Sequence, residues 1–306
     1  MKNDIKKYIQ KVIPFLKKTM NMSKKYIVHF ISFLKESWRS VVVFVPVFLI
    51  VYYVGGAFLS HKIDTNIHFK SDVTKGYAVI QTAADLIKRE TDKNLYTPNL
   101  PFIFPAYILD DMPAFQKGIF KSIRGVVDVL AENTTDVNII KAKELLSYPP
   151  NVWLFSKTKD FKIAPSSVAQ YRRARRKLLE FNEKAEVSDI VSEKIRLKLS
   201  ADLLDISTFL ESQMETAGSL KADDAFYEAL GRVYADYLFL RIVANKNMPQ
   251  TEFALKALET ALSLRPLFVR NGVLGRTLST NHLFELSYFV LKAHAFLFDA
   301  YASEIR

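Results

Sequence analysis

The stretch from Val41 to Leu59, VVVFVPVFLIVYYVGGAFL, is 19 residues long and carries no charge. As a helix it would span roughly 28 Å, close to the bilayer's hydrocarbon thickness of about 30 Å. Arg39 precedes it, and His61 and Lys62 follow. Pro46 and the Gly55–Gly56 pair are tolerated inside a membrane helix, and Trp38, Tyr52 and Tyr53 are the aromatic types favoured at membrane interfaces. A buried core helix would show a polar face, which this run lacks. A cleaved signal peptide would have a far shorter positive region and a shorter apolar core. The run therefore reads as a transmembrane helix over 41–60.

The charge distribution gives it a direction. Residues 1–40 hold ten Lys/Arg against Asp4 and Glu36, for a net +8, out of +11 for the whole chain. The rest has 33 basic and 30 acidic residues. The positive-inside rule keeps the +8 side in the cytoplasm and exports residues 61–306. The basic excess belongs to the arm, so it gives no reason to expect nucleic acid as a partner of the large domain. Within the arm, Ile5, Ile9, Val12, Leu16, Ile27, Phe30, Ile31 and Leu34 recur at helical spacing among lysines, with Pro14 interrupting. Such a basic amphipathic helix lies on an anionic leaflet or serves only to set orientation.

In a chain of 306 residues there are only 9 Gly and 11 Pro, which favours long helices over short strands and turns. With no Cys, there is no disulfide framework, thiolate metal site or Cys nucleophile. Helical patterns are expected over 65–95, 113–132, 136–147, 166–184, 187–216, from Asp223 onward, 250–264 and 281–304. Gly218 is the expected cap between the two long helices. Short strands are conceivable only at Val152–Phe155 and Leu267–Val269. Between the helices lie two proline-marked apolar loops. One covers 96–113 with Phe102, Phe104 and Tyr107; the other covers 147–155 with Trp153 as its anchor. Four prolines exclude a continuous helix in the first, and its apolar side chains exclude a solvated linker.

The expected architecture is mainly α. It comprises an N-terminal basic amphipathic arm (1–40), one transmembrane helix (41–60) and a periplasmic all-helical domain (61–306) with ordered Pro-rich loops.

The loops carry a resemblance. The blocks PNLPFIFPAYILDDMPAFQKG (98–118), YPPNVW (148–153), SSVAQYRRARRKL (166–178), DDAFYEALGRVYA (223–235), RPLFVRNG (265–272) and NHL (281–283) resemble, in order, those of a bacterial membrane-anchored family. It is known as domain-of-unknown-function family two-three-three-three. The resemblance implies a proteobacterial inner-membrane protein with an N-terminal anchor, and no activity.

Candidate chemistry is sparse. Asp110–Asp111 and Asp223–Asp224 are acid/base or cation-ligand types, but Asp before a helix is first a cap. Glu228 and Arg232, spaced i,i+4, can pair on one helix. The sharpest polar feature is Arg172, Arg173, Arg175 and Arg176. Their forks suit phosphates and carboxylates, or the domain's own acids. Together with Phe102, Phe104 and Trp153 they form the candidate binding surface. Five histidines show no ligand spacing, and His294 reads as a core residue. Asn271, Gly272, Asn281 and His282 form a polar turn or pocket. No catalytic residue, cofactor or metal is expected. Membrane contact and a periplasmic protein partner are. Three functions are compatible: a binding or scaffold module of the envelope, an envelope enzyme acting on lipid or glycan, and a membrane-shaping or secretion-associated subunit.

Overall fold

The computed structural model describes residues 26, 28, 32, 38–71, 76–108, 110–153, 164–185, 189–216, 219–244, 248–266, 268–271 and 281–305. The expected basic helix over 4–35 lies outside them, except for helical Tyr26, Val28 and Ser32. Gly218 also lies outside, as do parts of both candidate strands. Among the described residues there is no strand. The chain divides into two units, residues 1–56 and 57–306.

The first unit contains α1, Trp38–Ile50, with Pro46 inside it, followed by a π-helical turn, Val51–Gly55. Phe44, Phe48 and Tyr52, four residues apart, stack along one face with centroids 6.3 and 6.1 Å apart. The helical run continues into α2, Gly56–Ser60, where the second unit begins. Val42–Ser60 has a mean hydropathy of 2.4 and is the one helix among the described residues long and apolar enough to cross a membrane.

The second unit departs from expectation at its start. Residues 65–95 do not form one helix. The stretch 61–71 is irregular, with Asp64 and Asn66 side chains accepting backbone N–H groups two residues on. Three side chains from later in the chain, two on α8 and one just beyond α9, pin it. Tyr234 Oη donates to Asn66 O at 3.1 Å, Arg241 donates to Ile67 O and Phe69 O, and Arg265 donates to Thr65 Oγ1. Helix α3, Ala78–Lys88, follows Gly76 at φ +76°, where the backbone abuts Asn182 and Tyr77 N–H donates to Asn182 Oδ1 at 2.8 Å. A π-helical turn, Arg89–Lys93, ends it.

Seven further helices build the domain: α4 Asp111–Glu132, α5 Val137–Leu146, α6 Ser167–Asn182, α7 Asp189–Thr216, α8 Ser219–Val243, α9 Pro249–Ser263 and α10 His282–Ile305. Their starts follow local chemistry. Asp136, Ser166 and Asn281 accept the orphan N–H groups of Asn138, Ala169 and Phe284, and Pro249 opens α9. Helices α4 and α8 form the spine. Contacts step together along both, Asp111 with Asp223, Ile119 with Gly231 and Ser122 with Asp236, so they run side by side in one direction. Helices α5, α6 and α3 pack to one side of this pair, and α7, α9 and α10 to the other. Val79, Ile87, Phe115, Ile119, Ile123, Leu203, Phe226 and Leu230 are fully enclosed between them.

The proline loops dock on each other, as their apolar content requires. Asn99 Nδ2 donates to Val152 O at 3.1 Å, and Trp153 meets Phe104 edge-on at 6.0 Å. Ser167 Oγ closes the second loop by bonding to Pro149 O, Val152 N and Val152 O. Tyr96, Phe120 and Tyr171 form a buried aromatic trio that ties the first loop to α4 and α6.

Candidate functional site

A charged cleft opens where α4, α7 and α8 meet. Its volume is about 530 Å³. Helix α4 contributes Lys121, Ser122, Arg124, Gly125 and Asp128; α7 contributes Lys198, Ala201, Asp202 and Asp205; α8 contributes Arg232. Residues 121, 124, 125 and 128 share one face by helical spacing, as do 198, 201, 202 and 205. The cleft is therefore a seam between two polar helix faces, floored by the spine helix α8.

The walls are laced with pairs of opposite sign. Arg232 Nη2 donates to Asp205 at 2.6 Å, Lys198 pairs with Asp202, and Arg124 sits 3.8 Å from Asp128. Lys121 reaches Glu228 at 3.8 Å. Gly125 keeps the α4 wall low: a Cβ there would stand 3.3 Å from Asp202 Oδ2. The floor is buried and polar. Arg232 and Asp236 are 2% and 1% exposed. Ser122 Oγ donates to Asp236 Oδ1, while Asp236 Oδ2 and Arg232 Nη1 have no partner among the described residues.

Burial pushes the Asp236 carboxyl up to about 7. Neighbouring Asp202 adds to the rise, and Ser122, Arg232 and Lys198 oppose it. The Arg232 hydrogen bond holds Asp205 below its ordinary value despite partial burial. Buried charge with an unfilled hydrogen-bonding edge costs free energy, which the cleft's walls only partly return.

A second cluster sits at the N-terminal end of α4. Asp110, Asp111 and Asp223 each place a carboxylate oxygen within 4.8 Å of the others. Asp110 is the expected cap and accepts from Asp111 N–H at 3.2 Å. Asp223 and Asp224 are not caps: α8 begins at Ser219, so they fall in its second turn. Burial and the Asp111 charge push Asp223 up to about 7, and burial also raises Asp111. Two carboxyls this close are favoured sharing a proton.

The residues singled out in sequence do not form one surface. Arg172 Nε donates to Asp92 at 2.7 Å and its Nη2 to Thr91 O at 3.1 Å. Burial alone would raise Asp92, but Arg172 and Thr91 bring it below its ordinary value. Arg173 and Arg176 are exposed, and Arg175 is half-buried. Phe102 is exposed and Phe104 lies on Trp153. None of these lines the cleft. Glu228 and Arg232 do not pair with each other, because burial turns Arg232 towards Asp205. Helix α8 packs on α4 and α7 rather than on the 166–184 helix. His294 is hydrogen-bonded as expected, its Nδ1 lying 2.9 Å from Ser200 O, but it is half-buried and not in the core. Asn281 Nδ2 donates to Asn271 Oδ1 at 3.2 Å and Arg270 N–H to His282 Nδ1 at 3.0 Å, so these residues form a clasp.

Sequence reasoning missed Ser122, Asp202, Asp205 and Asp236. A signal was present: Arg232 and Asp236 interrupt the apolar run from Ala229 to Leu240 at i,i+4 spacing. Two opposite charges within an otherwise buried helix call for polar partners on its neighbours.

No family model, curated protein or solved structure matches this chain.

Proposed function

We propose that the chain is a single-pass inner-membrane protein holding a helical binding domain in the periplasm. The ligand is a small dipolar molecule with both a carboxylate and an ammonium group, such as an amino acid or a short peptide, and it occupies the cleft between α4, α7 and α8. The apolar helix Val42–Ser60 and the +8 arm before it support the anchor and its direction. The ordered blocks quoted above support membership of the two-three-three-three family.

The observation that carries the binding reading is the cleft's alternation of signs. Lys121, Arg124, Lys198 and Arg232 face Asp128, Asp202 and Asp205. A purely anionic or cationic guest would break these pairs and strand a charge. A guest with both signs exchanges pair for pair, with its carboxylate on the guanidinium and its ammonium on a displaced Asp. At about 530 Å³ the volume suits a small molecule.

The test is thermal denaturation of the full chain in detergent, with and without millimolar dipeptides and amino acids. At least one should raise the midpoint, and Gly125→Leu, which fills the cleft beside Asp202 and Lys198 without removing a charge, should abolish the rise. No shift with any of them, or an equal shift in the Gly125→Leu protein, sinks the reading.

A further inference from the structure

A second cavity, of about 370 Å³, lies at the start of the domain, and it is predominantly basic. Lys70, Lys88, Arg89 and Lys93 line it against two carboxylates, Asp64 and Asp85. Asp85 is engaged by Gln81 Nε2 at 3.2 Å, and Asp64 lies 3.5 Å from Arg89 Nη1. The three lysines are exposed, whereas Arg89 is only 6% exposed.

Arg89 is held from behind. Its Nε donates to Glu90 at 2.6 Å and its Nη1 to Tyr234 Oη at 2.7 Å, with the guanidinium 4.8 Å from the Tyr234 ring centroid. Glu90 in turn accepts from Gln116 Nε2 at 3.0 Å. Arg89 Nη2 is buried and has no partner among the described residues. A fixed guanidinium with one edge unfilled, lining the same cavity as three exposed lysines, is half of an oxyanion site already assembled.

Asp64, which lines the cavity, follows the last residue of the apolar helix by four positions. Four extended residues span at most about 14 Å, so Asp64 lies within that distance of Ser60. The polar headgroup layer beyond the hydrocarbon is itself about 5–8 Å deep. Tyr234, Arg241 and Arg265 pin the stretch that carries Asp64, Phe69 and Lys70, so the cavity is not on a loose leash.

We propose that this cavity binds a phosphate oxyanion, supplied by the headgroup of an anionic lipid in the leaflet the domain faces. Arg89 Nη2 is the inner donor, and Lys70, Lys88 and Lys93 complete the shell. The lipid source rests on Val42–Ser60 being a membrane span; the anion chemistry does not.

The test uses the full chain in detergent micelles doped with phosphatidylglycerol or with phosphatidylcholine, with retained lipid read by native mass spectrometry. The basic arm is present in every sample, so it cancels in comparison with the variant. Wild type should retain at least about tenfold more phosphatidylglycerol than Lys70→Ala/Lys88→Ala/Lys93→Ala. All three lysines are exposed, so that variant should fold, which matched melting confirms. Asp64→Asn keeps the turn-forming oxygen and removes a competing charge, so it should retain more lipid than wild type. A parallel titration with glycerol phosphate separates the sources. Protection of wild type but not of the triple variant, without lipid enrichment, upholds the oxyanion site and overturns the lipid source. Equal lipid retention by both proteins, with no response to glycerol phosphate, overturns the proposal.

Discussion

Gly118 and Gly231 face each other where α4 and α8 cross. A Cβ on Gly118 would overlap the Glu228 carbonyl, and one on Gly231 would overlap the Phe115 carbonyl. The two backbones touch with no side chain between them. That approach lets Ser122, one turn beyond Gly118, reach Asp236 beyond Gly231.

Gly118→Ala and Gly231→Ala should each therefore destabilise the domain, although alanine is the better helix former. Overpacking against backbone costs about 1–3 kcal/mol, more than the ~1 kcal/mol gained in helix propensity. Urea denaturation followed by circular dichroism measures this. A neutral or stabilising effect would show that the helices separate without cost.

Stability should fall as pH rises from about 4 to about 7. Asp236 and Asp223 both have folded values near 7, above the ordinary 3.8. In that window the folded chain binds more protons than the unfolded one, so raising pH favours unfolding. The loss is complete once pH passes the folded values. Asp236→Asn keeps the acceptor for Ser122 and removes the titration. Its melting temperature should exceed that of wild type at pH 8 by several degrees, at ~2–4 °C per kcal/mol, and vary less with pH. A melting curve for Asp236→Asn with the wild-type pH slope would exclude Asp236 as a source.

Gln116→Leu should be costly despite its apolar surroundings. Gln116 Oε1 accepts from Thr97 N at 2.8 Å and Thr97 Oγ1 at 2.9 Å, while its amide supports Glu90. Leucine would leave those buried groups unpaired, at about 1–3 kcal/mol for each lost partner. Arg172→Ala breaks a half-exposed ion pair and should cost less than about 1 kcal/mol. A reversed ranking in chemical denaturation would contradict this account.

A periplasm-dependent reporter fused after Arg306 should be active in a bacterial host. Exchanging the lysines of residues 2–25 for glutamines should lower its activity, because they supply most of the arm's charge. A reporter that stays silent when fused to the wild-type chain reverses the proposed orientation.

Most of the helices were legible because their apolar residues recur at helical spacing. Ser166 and Asp136 mark starts that the sequence announces directly. The helix expected over 65–95 misled over 65–71, because Tyr234 and Arg241 on α8 hydrogen-bond backbone carbonyls there and Arg265 bonds the Thr65 side chain. Periodicity cannot register such long-range partners. The Arg172 cluster drew attention by composition, yet its first member serves Asp92. The cleft was hidden for the opposite reason. Its residues come from three helices, and the approach of Gly118 to Gly231 brings those of α4 and α8 together. Two glycines inside otherwise good helical patterns were the available clue.

The clasp on residues 61–71 has a mechanical consequence. Tension applied to the chain at Ser60 would not first unravel a spacer. It would load the Arg241 and Tyr234 bonds and pass within a few residues into α8, whose residues from Ala229 to Leu240 are buried. A pull at Ser60 is therefore borne by the domain's core helix before any length of chain can pay out.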